Sequence, residues 1–243
     1  MLAIFKREFK SYFQNVIGWL FVAALLAVYG LYFYVYNLKN GYPYISYDLK
    51  GIGFIMMIAV PILTMRSLSD ERKTKTDQLM LTSPVSVGRI VAGKYFAMAA
   101  VYTIDIAIFA LSPLVLSIYG KVALSEAYVA LFGYWLYGLS CIAVGLFISS
   151  ISESVIISAI LTFAALFLSY MMQSITGLIS SSGNLLTKVL NCFDLYTPFE
   201  NFVSGCFSVT SAAYYVTVIL LLCFLTTCLL YTSPSPRDRT RSR

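Results

Sequence analysis

Histidine is absent from all 243 residues, and charged side chains make up only 12% of them, against about 25% in an average soluble chain. Without histidine the commonest general base is missing. The cysteines at 141, 192, 206, 223 and 228 have no metal-ligand spacing, so a zinc site has nothing to build on. There is no G-x-S-x-G elbow and no pair of acids at a common depth in the apolar runs, which leaves hydrolysis without its residues. Neither catalysis nor a bound cofactor or metal is expected of this chain. Cys192 and Cys206 share one long connection. They form a disulfide if it faces an oxidising side, and otherwise stay free thiols in apolar surroundings.

What is present in excess is apolar surface: 59% of the residues are hydrophobic and 16% aromatic. Crossing some 30 Å of hydrocarbon takes about 20 apolar residues. Val16–Tyr36 meets that length, with Trp19, Tyr29, Tyr32, Tyr34 and Tyr36 placing amphipathic rings toward its ends. Further runs lie at Gly51–Met65, which is short and carries Pro61, at Val91–Ile118, Ala127–Ile148 and Val155–Met172, and from Ala213 onward. The fold class expected is therefore an all-α polytopic membrane protein with six transmembrane helices. The basic start is followed by a span too long for a signal peptide and by no small-residue cleavage site.

The last residues change character. CLLYTSPSPRD, residues 228–238, is identical to the second-frame translation of a widely used transposase sequencing adapter. Residues 228–243 are accordingly read as an adapter-derived tail, and residues 1–227 as the natural transmembrane domain. The tail's four arginines and one aspartate supply three of the six net positive charges.

Basic residues in short connections are retained on the cytoplasmic side. Lys6, Arg7 and Lys10 precede the first span, and Arg66, Arg72, Lys73, Lys75, Arg89 and Lys94 lie between the second and third. Connections of the other parity carry only Lys39 and Lys50, then Lys121, then Lys188. The amino terminus and the 66–94 connection are thus expected on the cytoplasmic face of the cell membrane. Before the first span, Leu2, Phe5, Phe9, Tyr12 and Phe13 recur at helical spacing opposite Lys6, Arg7, Lys10 and Ser11. That pattern suits an amphipathic helix in the membrane interface, its basic face toward anionic headgroups, or else a solvated start to the first span.

Gly88–Lys94 reads G-x-x-x-x-G-K, the spacing of a phosphate-binding loop. The Ser or Thr that such a loop needs next is Tyr95, and no buried strand precedes it. The glycines instead permit close helix packing, and Lys94 is expected to snorkel to the headgroups. The surrounding polar stretch, MRSLSDERKTKTDQLMLTSPVSVGRIVAGK, is the longest in the chain. Thr74 and Asp77 have capping-box spacing, so a short helix starts near Lys75 and ends before Pro84, with Leu79, Met80 and Leu81 on its apolar side. Ser86 caps the helix that follows. The stretch is either a solvated loop or a compact knob able to dock a partner.

At these residues the chain resembles the ABC-2 family of ATP-binding-cassette permeases, including its gliding-motility-type members. Glu71, Arg72, Thr76, Leu79, Ser83, Pro84, Val85, Ile90, Gly93 and Lys94 match the family's segment between spans two and three, while Lys75 and Gln78 stand where the family often has Gly and Glu. LFISSISESVIISAI is similar to its tight turn between spans four and five, with Glu153 at the cytoplasmic end, and Pro198, Phe199, Phe202 and Gly205 to its P-F-x-x-F-x-x-G segment before the last span. The resemblance implies a cytoplasmic coupling helix between spans two and three, with Glu71, Arg72, Thr76, Leu79, Leu81 and Pro84 pressing on a separate ATPase subunit. It also implies that ATP and Mg sit on that subunit, and that a second permease copy or a homologous permease completes the assembly. The lipid bilayer is the remaining partner, and nucleic acid is not one.

Asp105 is the one acidic residue deep inside an expected span, where a charge is costly, and Tyr102 stands one helical turn away. Asp105 and Tyr102 line a substrate path, or Asp105 binds a proton, or its carboxyl is hydrogen-bonded inside the bundle. An ATP-driven exporter is the leading reading. A proton-coupled carrier using Asp105 and a non-transporting membrane scaffold are the alternatives. Between spans five and six, residues 173–212 are long for a connection, and the resemblance implies short external helices there.

Overall fold

A computed structural model describes residues 2–74, 86–119, 122–179 and 193–232, with the backbone alone described over 173–179. The described residues are helical, without strands. Helix α1 (Leu2–Gln14) turns at Asn15 into α2 (Val16–Tyr32), which continues as a π-helical stretch, Phe33–Lys39. Then come α3 (Ser46–Thr64), the short α4 (Ser69–Lys73), α5 (Val87–Phe109) and α6 (Ser112–Tyr119). The chain closes with α7 (Leu124–Ile151), α8 (Val155–Ile179), α9 (Thr197–Val203) and α10 (Val209–Thr232). Among the described residues six stretches are long and apolar enough to cross a membrane: α2 with its π extension, α3 through α4, α5 with α6, α7, α8 as far as Met172, and α10. The antiparallel path gathers α1, α4 and the turn after α7 at one end, here the α1 end. The loops beyond α2 and α6, together with α9, lie at the opposite end.

The third span is two helices where the apolar run predicts one. Pro113 has no N–H to donate, and its ring would crowd the carbonyl of Phe109 in a continuous helix. The chain breaks at Ala110–Leu111, and the Ser112 hydroxyl takes up the Phe109 carbonyl at 2.7 Å. The second span begins earlier than its apolar run, at Ser46, with Asp48 in the first turn where the helix dipole favours an acid. Asp48 is fully buried and accepts a hydrogen bond from Asn37, which the π-helical stretch turns inward.

The core is built around α7, which packs on both α3 and α5, with Ile52, Met56, Val60, Met98, Tyr102, Tyr134 and Ile142 buried along it. Small residues set how closely these helices approach, as packing rather than water exclusion holds helices together in lipid. A side chain at Gly138 would collide with the Tyr102 ring, and one at Gly145 with the side chain of Thr64. Outward faces remain apolar, notably Ile156, Ile157 and Ile160 on α8 and Leu220, Leu221 and Phe224 on α10.

Helix α1 forms as its periodicity predicts, and it packs along α5. Ile4 sits over Gly93, where an added Cβ would come within 2.9 Å of Cγ2. Phe5 stacks on Phe9, Phe9 meets Phe13 at a tilt, and Phe13 meets Trp19 edge-on at 5.3 Å. The Trp19 indole donates to the Phe13 carbonyl at 2.9 Å, closing the corner between α1 and α2.

Candidate functional site

The α1 end brings together polar side chains that the sequence holds far apart. Lys94, two turns into α5, is 2% exposed. Its ammonium donates to the Ser67 carbonyl at 2.9 Å and to Glu71 Oε1 at 2.7 Å, and it lies 3.5 Å from Glu8 Oε1. The Arg7 guanidinium donates to the same Glu8 oxygen at 2.9 Å. Arg7, Glu8, Lys94 and Glu71 form a chain of alternating sign with no net charge. A buried ammonium is tolerable on those terms, since its lost hydration is replaced by two carboxylates and a carbonyl. The snorkelling expected of Lys94 is therefore corrected: the side chain turns inward, because the protein offers it better acceptors than the headgroups do.

Helix α4 is fastened a second time. The first N–H groups of a helix have no partner within it, and here an outside residue supplies one. Ser149 Oγ, near the end of α7, accepts from the Leu68 and Ser69 amides at 3.1 and 3.2 Å. The Ser69 hydroxyl donates back to the Met65 carbonyl, and Thr74 Oγ1 closes on the Asp70 carbonyl at 2.8 Å. Glu71 thus faces inward to Lys94, with Arg72 half-buried beside it. The other residues proposed from the sequence to meet a partner, Thr76, Leu79, Leu81 and Pro84, lie outside the described residues, as does the capping-box position Asp77. Ser86 occupies the cap position of α5 in extended conformation, without a side-chain hydrogen bond to the helix.

Over this cluster opens a polar cleft of about 470 Å³, walled by Arg7, Tyr12 and Asn15 on one side and Arg66, Asp70 and Thr74 on the other. Burial raises the Tyr12 phenol's pKa well above its ordinary value, the charge of Glu8 adding to the rise, so Tyr12 remains a neutral donor. Glu153 is exposed in the tight turn after α7, which Ser152 closes by accepting from the Ser154 amide at 3.3 Å.

At the opposite end, Asp194 Oδ1 accepts from the Tyr196 and Thr197 amides, each at 3.0 Å, and so starts α9 ahead of Pro198. Phe199 and Phe202, one turn apart, are both fully buried. Phe199 stacks on Tyr137 at 5.5 Å, and Phe202 fills the space that Gly133 leaves open. Gly205 ends the motif at φ +78°, a conformation that side chains disfavour.

Asp105 is fully buried in α5, and neither of its carboxyl oxygens has a hydrogen-bond partner among the described residues. Tyr102, one helical turn away, does not bond it. Gly138 lets the Tyr102 ring cross to α7, where its hydroxyl donates to the Tyr134 carbonyl at 2.8 Å.

A family model described as ABC-2 family transporter protein matches residues 11–233, nearly the whole chain. The chain belongs to the ABC-2 transporter family. No curated protein matches it. As a member of that family it is a multi-pass membrane subunit of a transporter.

In this ABC-2 subunit, sequence reasoning missed Glu8, Ser67 and Ser149 and misplaced Lys94. Two signals were available. Glu8 is the one acid in the otherwise basic α1, and Lys94 stands too far along an apolar helix to reach water easily. Ser149 offered none, since a serine near a span end is commonplace. At the opposite end Asp194 and Ser169 were equally silent, although the Ser169 hydroxyl holds both the Phe193 carbonyl at 2.7 Å and the Leu195 amide at 3.0 Å.

Proposed function

We propose that this chain is the transmembrane subunit of an ATP-driven ABC-2 exporter, working with a separate ATPase subunit and a second permease, identical or homologous. The membership of residues 11–233 in the transporter family carries this reading. The α1 end faces the cytoplasm of the cell, as its concentration of basic residues favours. ATP and Mg are handled by the partner, because Gly88–Lys94 opens an apolar helix and Lys94 is already committed to Glu71. The 66–94 connection meets the ATPase through Glu71, Arg72, Thr76, Leu79, Leu81 and Pro84. Closure of the ATPase pair moves that connection and reorients the spans it joins, provided the partner binds the two permease states unequally.

Apolar area on Leu79 and Leu81 supplies the attraction. Burying most of one leucine against a partner is worth roughly 1.5–3 kcal/mol. Leu79→Asp should therefore leave the subunit inserted and weaken ATPase association about tenfold or more, since each 1.4 kcal/mol is a factor of ten. Lys39→Asp, at the opposite end, should leave association unchanged. A co-purification titration of the ATPase subunit in nanodiscs measures both variants. Equal affinity for wild type and Leu79→Asp would withdraw the coupling role from this segment.

A further inference from the structure

We propose that Lys94 is a positioning residue that joins α1, α4 and the start of α5 into a single lever, so that the amphipathic helix α1 moves with the 66–94 connection instead of merely anchoring the chain in the interface. The inference rests on the ATPase-coupling reading and adds residues that reading does not contain: Lys94, Glu8 and Ser67.

The three partners of Lys94 reside on three different pieces of the fold. Glu8 belongs to α1, Ser67 to the corner after α3 and Glu71 to α4, while Lys94 itself belongs to α5. A single ammonium therefore ties four separate pieces of structure at one point. Its burial makes the tie stiff. An exposed ion pair exchanges its partner for water at little cost, whereas a charge at 2% exposure must keep its carboxylates or remain unsolvated. The stoichiometry points the same way, because Arg7 balances the Glu8 carboxylate, so that the four formal charges cancel among the described residues.

Packing around the cluster is continuous with it. Gly93, next to Lys94, receives Ile4 of α1. Ser149 holds the other side of α4 to α7. The polar cleft above has α1 as one wall and the α3–α4 corner as the other, with Lys94, Glu8 and Glu71 among its lining residues. A push delivered beyond Thr74 thus reaches α4 first, then Lys94 through Glu71, then α1 through Glu8. Breaking the Lys94 link would leave α4 free to follow the ATPase while α1 stays behind.

The experiment uses the full chain in nanodiscs, with native cysteines replaced and spin labels at exposed positions: Lys10→Cys on α1, Lys73→Cys on α4 and Asn40→Cys at the opposite end. Pulsed dipolar spectroscopy on the subunit alone should give a narrow Lys10–Lys73 distribution that broadens in Lys94→Met and in the milder Glu8→Gln. The pair Lys94→Glu with Glu71→Lys keeps the net charge but sets a carboxylate against Glu8, so it should leave the distribution broad. In complex with the ATPase, trapping with ATP and vanadate should shift both the Lys10–Asn40 and the Lys73–Asn40 distances in wild type. In Lys94→Met only the Lys73–Asn40 distance should shift, with ATPase co-purification unchanged. If Lys94→Met fails to insert, Glu8→Gln carries the same two measurements. Failure of the wild-type chain to retain an ATPase would overturn the coupling reading and leave the joint standing on the distances measured without it. A Lys10–Lys73 distribution as narrow in Lys94→Met and Glu8→Gln as in wild type would overturn the joint, as would Lys10 following Lys73 on trapping in those variants.

Discussion

At the α1 end, segments distant in sequence are held by charges and hydroxyls, with Lys94 reaching Glu8 and Glu71 and with Ser149 capping α4. At the opposite end the Asp194 and Ser169 hydrogen bonds hold only the segment leading into α9, and α9 itself is seated by rings: Phe199 lies on Tyr137, Phe202 lies against Gly133, and Tyr196 meets Tyr170 edge-on at 4.6 Å. The two kinds of fastening differ in directionality. An ion pair or a capped amide fixes specific atoms over a short range and fails once one partner is removed. Ring packing spreads its attraction over many weak contacts and tolerates small slips. An end that must pass a displacement from one helix to the next gains from the first kind, and an end that must stay closed gains from the second.

The largest effect expected from disturbing this contrast lies in the ring-packed end. Phe202→Ala removes a fully buried ring and leaves Gly133 facing a void, so α9 loses its main seat. Core truncations of this kind cost about 3 kcal/mol or more. Thermal unfolding of the purified subunit in detergent should show it as a lowered midpoint, with the α1 end retaining its protection in hydrogen exchange. Loss of protection at both ends together would mean that the two ends are one cooperative unit and that the contrast has no mechanical meaning.

A smaller, more local effect is expected at the other end. Ser149→Ala deletes the acceptor of the Leu68 and Ser69 amides and leaves both N–H groups in a buried corner. An unsatisfied buried donor costs about 1–3 kcal/mol. Hydrogen exchange should accelerate over Leu68–Lys73 while α9 remains as protected as in wild type. Unchanged exchange there would show that Lys94 holds α4 without help from α7.

The contrast between the ends was only half visible in the sequence. Ring packing leaves a local signature: Phe199 and Phe202 stand one turn apart behind Pro198, and Gly205 marks the end of the turn. Six apolar runs likewise announce six spans, because spanning hydrocarbon imposes a length and a composition on each run separately. The ionic end leaves no such signature. Lys94 lies 23 positions from Glu71, and Glu8 lies in another helix altogether, so no periodicity connects them. The basic-residue count that orients the chain treats Lys94 as one more headgroup contact. Only the fold reveals that it faces inward. The break before Pro113 was legible in principle, but the unbroken apolar run concealed it. The π-helical turn at Phe33–Lys39 carries Asn37 to the buried Asp48, a contact between two spans that composition cannot display.

The smallest effect sharpens the comparison, because it concerns the same chemistry at the wrong end. Lys50 and Glu200 approach to 4.0 Å at the ring-packed end, linking α3 to α9 much as Lys94 links α5 to α4. The two ion pairs differ in surroundings. Lys50 is 45% exposed and Glu200 34% exposed, against 2% for Lys94, and a cavity of about 220 Å³ lined by Lys50, Tyr44, Tyr47 and Glu126 opens beside them. Water and salt therefore share the charges, and holding two long side chains in one geometry offsets most of the gain. Removing such a pair typically changes stability by about 0–1 kcal/mol, and α9 keeps its rings in place regardless. Lys50→Ala should leave the unfolding midpoint close to wild type, and raising salt should not separate the two proteins further, since there is little attraction left to screen. A loss from Lys50→Ala as large as that from Phe202→Ala would mean that charge fastens both ends alike, and the division of labour between rings and ions would have to be given up.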